Sequence, residues 1–159
     1  MNAPFPAAPN LASLRRRLAS LVYECFLLAA LFMVVGFLVV GWLDPTASAG
    51  QRLAFQLYLL LCAGLYFILT WHRGGQTLAM KTWRIRLVDG QGGCPALGRC
   101  VLRYVLAVAG LVAGGLGFLW ALWDPQRQFL HDRLAGTLLV RSDALRAPEG
   151  DEGAQGEQT

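Results

Sequence analysis

Three long apolar blocks dominate this chain and restrict it to a membrane fold. They run from Leu18 to Leu43, from Leu53 to Trp71 and from Val101 to Trp123. About 20 apolar residues cross a hydrocarbon core of roughly 30 Å, so each block is long enough to span. With 55% hydrophobic and only 15% charged residues, the chain lacks the polar surface of a soluble domain. The sequence predicts an all-α membrane protein with three hydrophobic segments.

The first block is expected to remain in the mature protein. The apolar region of a signal peptide is about 7–15 residues long, and this block is far longer. In the second block, aromatic residues are candidate anchors at the membrane interface, namely Tyr58, Tyr66 and Trp71. The four cysteines form no CxxC pair, so we expect them to be reduced.

Basic residues are distributed unequally between the connections, which predicts the orientation. Arg15, Arg16 and Arg17 precede the first block, and five more follow the second, namely Arg73, Lys81, Arg84, Arg86 and Arg99. The connection between the first two blocks holds only Arg52. Since Lys and Arg favour the cytoplasmic side, we expect a cytoplasmic N-terminus. The net charge of +4 then reflects topology and attraction to anionic lipid headgroups, not nucleic acid.

The third block contains a glycine-rich break, "GLVAGGLG", from Gly110 to Gly117. Two strand-like stretches flank this block, "WRIRLVDG" from Trp83 and "GTLLVR" from Gly136, and lone strands are stable only when paired. We therefore favour a bent or re-entrant third segment with a small cytoplasmic β-hairpin-like cap and a cytoplasmic C-terminus. The alternative is a straight span in which Gly110 and Gly114 form a GxxxG packing contact.

Glu24 is the clearest ionisable residue inside a block. It follows Arg17 by seven residues, about two helical turns, so both side chains lie on nearly the same face and Glu24 lies about 10 Å deeper. Because burial disfavours an isolated carboxylate anion, such a group needs a function or a partner. In one interpretation Glu24 is a proton or cation site. In the other it is a protonated or salt-bridged residue that locks the helices together, and the expected partner in a salt bridge is Arg103 or an arginine of the C-terminal segment.

Three stretches in this order carry a family resemblance: "RRLASLVYE" in the first block, "GGQTLAMKTWRIRLVDGQGG" after the second and "FLHDRLAGTLLVR" near the end. Together they resemble the signature regions of the RDD family of small bacterial membrane proteins, from about Arg16 to Arg141. The resemblance implies the bacterial inner membrane and assigns binding roles to Arg17, Glu24 and Asp132, with Glu24 standing where the family has an aspartate. It also implies transport of an unidentified ligand, or the cation/proton antiport attributed to some members.

The stretch "DPQRQFLHDRLAGTLLVR", residues 124–141, is predicted to form a cytoplasmic cap. Within it, residues 126–134 are expected to make an interfacial turn with three apolar side chains towards the bilayer, Phe129, Leu130 and Leu134. Asp132 is expected to meet one of three basic residues, Arg17, Arg84 or Lys81. His131 belongs to the one residue type that titrates near neutral pH unperturbed, so it either senses cytoplasmic pH or is an interfacial hydrogen-bonding residue.

Further residues are expected to support the site, namely His131, Arg133, Arg16, Gln76 and Lys81. Thr77 is a candidate N-cap of a short helix after the second block. The start of that helix could receive an anion or a lipid phosphate, and its alternative role is a structural turn.

Two function hypotheses remain, a small transporter or cation/proton exchanger and a non-transporting membrane assembly or lipid- or partner-binding module. With only His72 and His131 as histidines and no GxSxG motif, we expect no enzyme activity, no metal site and no cofactor. Three short segments hardly enclose a pathway, so we expect a homo-oligomer. Residues 1–14 are predicted as a loose N-terminal arm, 15–141 as the transmembrane domain and 142–159 as a disordered acidic tail.

Overall fold

Two long helices and a bent third segment converge on a small sheet. The computed structural model describes residues 11–42 and 44–143. Its elements in chain order are α1 (Leu14–Val39), α2 (Ala49–Gly74), α3 (Leu78–Thr82), β1 (Ile85–Asp89), α4 (Leu97–Val112), α5 (Leu116–Leu119), a 3-10 turn (Trp120–Leu122), α6 (Leu130–Leu134) and β2 (Thr137–Arg141). This mostly helical architecture with a small antiparallel sheet confirms the helical part of the prediction. Residues 1–10 and 144–159 of the predicted arm and tail lie outside the described residues.

The helices α1 and α2 are the first two predicted segments. Each has 26 residues, which is about 39 Å at 1.5 Å per residue, and each is apolar and long enough to cross a membrane. Their boundaries differ by a few residues from the predicted 18–43 and 53–71. The helix α2 begins where Ser48 Oγ accepts a hydrogen bond from the Gln51 N–H at 3.2 Å, because an N-cap hydroxyl satisfies a free amide of the first turn.

The third segment bends, as predicted. The axis of α4 and that of the following helical stretch, Leu116–Leu122, differ by 106°. Gly114 and Gly115 form the turn with φ of 75° and 80°, a left-handed conformation that glycine adopts without a Cβ clash. The chain returns so closely that a Cβ added to Gly110 would lie 3.1 Å from Gly117 Cα. The straight helix required by the GxxxG alternative is therefore not formed.

The strands β1 and β2 pair antiparallel, with Leu87 opposite Leu139. One strand precedes the third segment and the other follows it, so both ends of that segment lie at the same end of the molecule. Leu11 bridges to Val140, and the Ala12 N–H donates to Leu139 O at 2.9 Å. The last residues of the predicted loose arm are therefore held against β2, which corrects that boundary.

The main core lies where the helices meet the sheet. Its residues come from the segment before α1, from α2, α3 and α4, and from both strands, namely Ala12, Trp71, Met80, Ile85, Leu87, Cys100 and Leu139. Gly75 ends α2 with φ 64°, and a Cβ there would lie 2.6 Å from Leu87 O, so only glycine allows this close approach. We call α3, β1, α6 and β2 the cap.

Two aromatic residues that were expected at the membrane surface are buried inside the protein. Trp71, expected as an interface anchor, belongs to the core. Phe129, expected to face the bilayer, is buried against Phe118 with ring centroids 5.4 Å apart, whereas Leu134 is exposed as expected. Away from the cap the helices present large apolar side chains outwards, such as Met33 and Phe37, which is the surface that lipid covers.

Candidate functional site

One face of α1 carries its buried polar groups. Arg17, Ser20 and Glu24 are buried, and the only other buried residue of this helix is Gly36. The spacings of three, four and seven residues place these side chains on one stripe. The prediction that Arg17 and Glu24 share a face is confirmed.

Glu24 is held by hydroxyl groups. Its side chain is 6% exposed. Tyr66 of α2 donates its hydroxyl to Glu24 Oε1 at 2.8 Å, and Thr77 donates to Oε2 at 2.5 Å. Within residues 11–42 and 44–143, no Lys, Arg or His forms an ion pair with this carboxylate. The predicted salt bridge of Glu24 with Arg103 is therefore wrong, and Glu24 forms none with the described arginines of the C-terminal segment. The hydrogen bond with Tyr66 nevertheless joins α1 to α2.

Thr77 links this carboxylate to the cap. It is the N-cap of α3, as predicted, and its Oγ1 accepts a hydrogen bond from the Met80 N–H at 3.2 Å. Its own hydroxyl proton is therefore directed to Glu24. One short side chain thus accepts a hydrogen bond from a free N–H group at the start of α3 and donates one to a buried carboxylate.

Asp132 of α6 pairs with an arginine of α4. The Arg103 Nε donates to Asp132 Oδ1 at 2.7 Å, and both residues are almost fully buried. The Arg103 guanidinium carbon also lies 4.1 Å from the ring centroid of Trp71, within the range of a cation–π contact. The expected partners of Asp132, which were Arg17, Arg84 and Lys81, make no ion pair with it.

Arg17 binds backbone carbonyl groups rather than an acid. Its nitrogens donate to Ala12 O at 2.8 Å, Arg127 O at 3.0 Å and Leu139 O at 3.3 Å. The guanidinium therefore joins the start of α1 to β2 and to the loop before α6. These contacts support the fold, and Arg17 makes no hydrogen bond with Glu24, beside which a binding role was expected.

His131 lies inside the cap. Its ring stacks on Phe129 and meets Phe118 edge-on, with centroids 5.4 Å and 5.1 Å apart. Burial lowers the pKa of His131 to about 4, although the neighbouring Asp132 acts in the opposite direction. A histidine with this pKa is neutral at neutral pH, so its surroundings do not favour the predicted role as a sensor of cytoplasmic pH.

The other supporting residues are dispersed. Arg133 pairs with Asp124; burial opposes ionisation of that acid, but this pair and two backbone N–H groups hold the pKa of Asp124 below its usual value. Gln76 donates to Ile85 O at 2.8 Å, and Lys81 is exposed. Arg16 is half-buried and makes no hydrogen bond from its NH1 group to the described part of the chain. None of the four contacts Glu24.

Three residues of the site were not predicted as site residues, Tyr66, Thr77 and Arg103. Arg103 carried a signal, because an arginine inside an apolar block needs an acidic partner. From the sequence, Glu24 was expected to be the acidic partner of Arg103, but in the structure the partner is Asp132. The two hydroxyls carried no such signal, since neutral polar residues are common in apolar segments. In the described segments no three His, Cys, Asp or Glu side chains lie close enough to hold a metal ion.

Two long apolar helices, a bent apolar segment and buried charges at one end define a helical membrane protein. The sequence profile of the RDD family matches residues 11–136, so the chain belongs to the RDD family. It is also 31% identical over 85 residues to the "Uncharacterized protein RP437" of Rickettsia prowazekii (strain Madrid E). That match covers 53% of this chain and 46% of the relative, so it spans about half of each. No solved structure matches the chain significantly.

Proposed function

We propose that the protein is a multi-pass protein of the bacterial inner membrane with its cap in the cytoplasm. The helices α1 and α2 each cross once, and the third segment re-enters. Support comes from the charge distribution, since the cap end holds every described Lys and Arg except Arg52, and such residues favour the cytoplasm. The pairing of β1 with β2 is compatible with a third segment that begins and ends on one side.

Within this topology we propose that Glu24 exchanges a proton for a monovalent cation. The observation that carries the proposal is that a buried carboxylate faces the hydroxyls of Tyr66 and Thr77 and, in the described segments, no basic side chain. Such a carboxylate can be neutralised by a proton or by a small cation. Carboxylate and hydroxyl oxygens are also ligands that hard cations accept.

The two oxygens of Glu24 each accept one hydroxyl. Tyr66 donates to Oε1 and Thr77 donates to Oε2. A hydroxyl can also accept a hydrogen bond, so in this proposal either oxygen can carry the exchanged proton.

The test is cation-dependent proton movement into liposomes that contain the purified protein, followed with a pH dye. Glu24→Gln removes the titrating charge with little change in size, so exchange is expected to vanish. Glu24→Asp restores the acid that the family has at this position and is expected to retain exchange. The matched control is Asp44→Asn, which removes an exposed acid in the α1–α2 connection and is expected to change nothing. Equal activity of wild type and Glu24→Gln would exclude Glu24 as the exchanging group.

The second candidate is a non-transporting membrane module that assembles with partners. It is favoured by the internal contacts of Arg17, Arg103 and Asp132, which connect the cap to the helices. No proton movement by folded wild type with any of several cations would support this candidate. A homo-oligomer, detected by crosslinking in the membrane, is proposed for either function, because α1, α2 and one bent segment hardly enclose a pathway.

A further inference from the structure

The ends of the membrane segments lie together beside the sheet. The Ala12 N–H, just before α1, bonds to β2, and the Leu87 N–H of β1 bonds to Gly75 O at the end of α2. Cys100, near the start of α4, packs in the same core. Basic residues close to these three helix ends therefore lie at one level of the molecule. In a membrane this level is the headgroup region.

The acidic groups at this end are already engaged. Asp124, Asp132 and Asp143 pair with Arg133, Arg103 and Arg141. Asp89 accepts hydrogen bonds from the Gln91 and Gly93 N–H groups at 3.0 Å and 2.9 Å. Several exposed cations have no ion pair within the described ranges, namely Arg15, Arg73, Lys81, Arg84, Arg99 and Arg127. Among the described residues, this end therefore presents positive charge that no ion pair compensates.

Three of these cations have exposed apolar neighbours. Leu78 (56% exposed) precedes Lys81 by one turn of α3, Trp83 (39%) is adjacent to Arg84, and Leu97 (49%) lies two residues before Arg99. We call these six residues the rim. Alternation of basic and large apolar side chains at the end of membrane helices is typical of a surface lying in the headgroup region.

Arg84 adds a local observation. Its φ is 52°, in the left-handed region where glycine or asparagine fits with less strain. The chain nevertheless has an exposed arginine there, next to an exposed tryptophan. Because strained backbone positions cluster at functional sites, this residue fits a binding role for the rim.

We propose that the rim binds the headgroups of anionic phospholipids in the leaflet around the cap. The cations attract the phosphates, while Leu78, Trp83 and Leu97 enter the acyl region beneath them. A soluble acidic protein or a nucleic acid would meet the same charges but would leave the apolar side chains in water. The rim therefore matches lipid better than either, and its role does not depend on ion exchange at Glu24.

The experiment measures lipid selectivity of the full-length protein in vesicles. Brominated phosphatidylglycerol or brominated phosphatidylcholine quenches the tryptophans, and the ratio of quenching gives the relative association constant. Near an anionic surface each basic residue contributes about fivefold to binding. We therefore expect a preference for phosphatidylglycerol that weakens with added salt. The triple variant Lys81→Gln, Arg84→Gln, Arg99→Gln is expected to lose most of that preference.

Two controls make the result specific. Arg52→Gln removes a basic residue at the opposite end and is expected to keep the preference, as is the charge-conserving set Lys81→Arg, Arg84→Lys, Arg99→Lys, which also tests folding. No preference in wild type, or an unchanged preference in the triple variant, would overturn the proposal. A preference that arises only after deletion of residues 144–159, which include Glu149, Asp151 and Glu152, would overturn it too, because the acidic segment would then be the occupant.

Discussion

Glu24 and Asp132 are both buried acids, but their surroundings differ. Asp132 is 1% exposed and accepts a hydrogen bond from a buried guanidinium, while Glu24 is 6% exposed and accepts from two neutral hydroxyls. The charge of Asp132 is therefore compensated inside the protein. The charge of Glu24 has no such partner in the described segments. Asp132 therefore fastens the cap through an internal ion pair, whereas the hydroxyl contacts of Glu24 are the basis of the exchange proposed above.

An acid within an apolar segment is therefore not by itself a functional site. A carboxylate that shares a buried ion pair cannot change protonation state without leaving an arginine uncompensated, which is strongly unfavourable. A carboxylate held by hydroxyls can do so, because a hydroxyl both donates and accepts. The following variants test whether the two acids contribute differently to stability.

The largest expected effect is that of Asp132→Asn. It leaves the Arg103 charge buried without its acid, so we expect a loss of about 3–5 kcal/mol in the free energy of unfolding, measured by denaturant titration in detergent micelles. The double variant Arg103→Met, Asp132→Leu removes both charges and should recover most of this loss. A single variant as stable as wild type would show that the pair does not fasten the cap.

Acidification should lower the free energy of unfolding through protonation of His131, the neighbour of Asp132. The pKa of His131 is about 4 in the folded protein against 6.5 for the free side chain, so between these values the unfolded chain binds more protons. Stability should therefore be full above pH 6.5 and decrease by up to about 3 kcal/mol as the pH falls to 4. In His131→Phe, whose ring suits the aromatic contacts with Phe118 and Phe129, this part of the decrease should disappear. If this variant and the wild type had identical pH profiles of stability, the decrease could not be due to His131.

Thr77→Val, which changes a contact of Glu24, should lower the free energy of unfolding less than Asp132→Asn does. It removes the hydroxyl that caps α3 and donates to Glu24, so we expect a loss of about 2 kcal/mol in the free energy of unfolding. Thr77→Ser keeps both hydrogen bonds and serves as the matched control, with a loss below about 1 kcal/mol. Equal losses in the two variants would mean that the methyl group, not the hydroxyl, matters at this position.

The smallest effect on stability is expected for Glu24→Gln. The amide oxygen can accept from Thr77 and the amide group can donate to the Tyr66 hydroxyl, so both hydrogen bonds survive and the loss should be about 1 kcal/mol or less. Thermal unfolding of this variant beside Asp132→Asn tests the contrast directly. If Glu24→Gln were the more destabilised of the two, the contrast between the acids would be reversed.

Much of the architecture could be predicted from local patterns. The apolar blocks, the glycines at the bend and the alternation in β1 and β2 are features of neighbouring residues, and each corresponds to an observed element. The common face of Arg17 and Glu24 followed from helical periodicity in the same way. The bilayer-facing prediction for Phe129 failed because the fold of the cap, not the local pattern, decides which side of a short turn is covered.

The sequence by itself determined that the chain has three long apolar segments and where the basic residues lie relative to them, because length, hydropathy and charge are properties of neighbouring residues. Only the tertiary structure decided which polar groups meet. Arg103 and Asp132 are 29 residues apart, and Thr77 and Glu24 are 53 apart. The first contact arises because the bend at Gly114 and Gly115 returns α6 to α4, and the second because α3 packs against α1. In a buried environment each charge must then be compensated by whichever groups the fold has brought within reach.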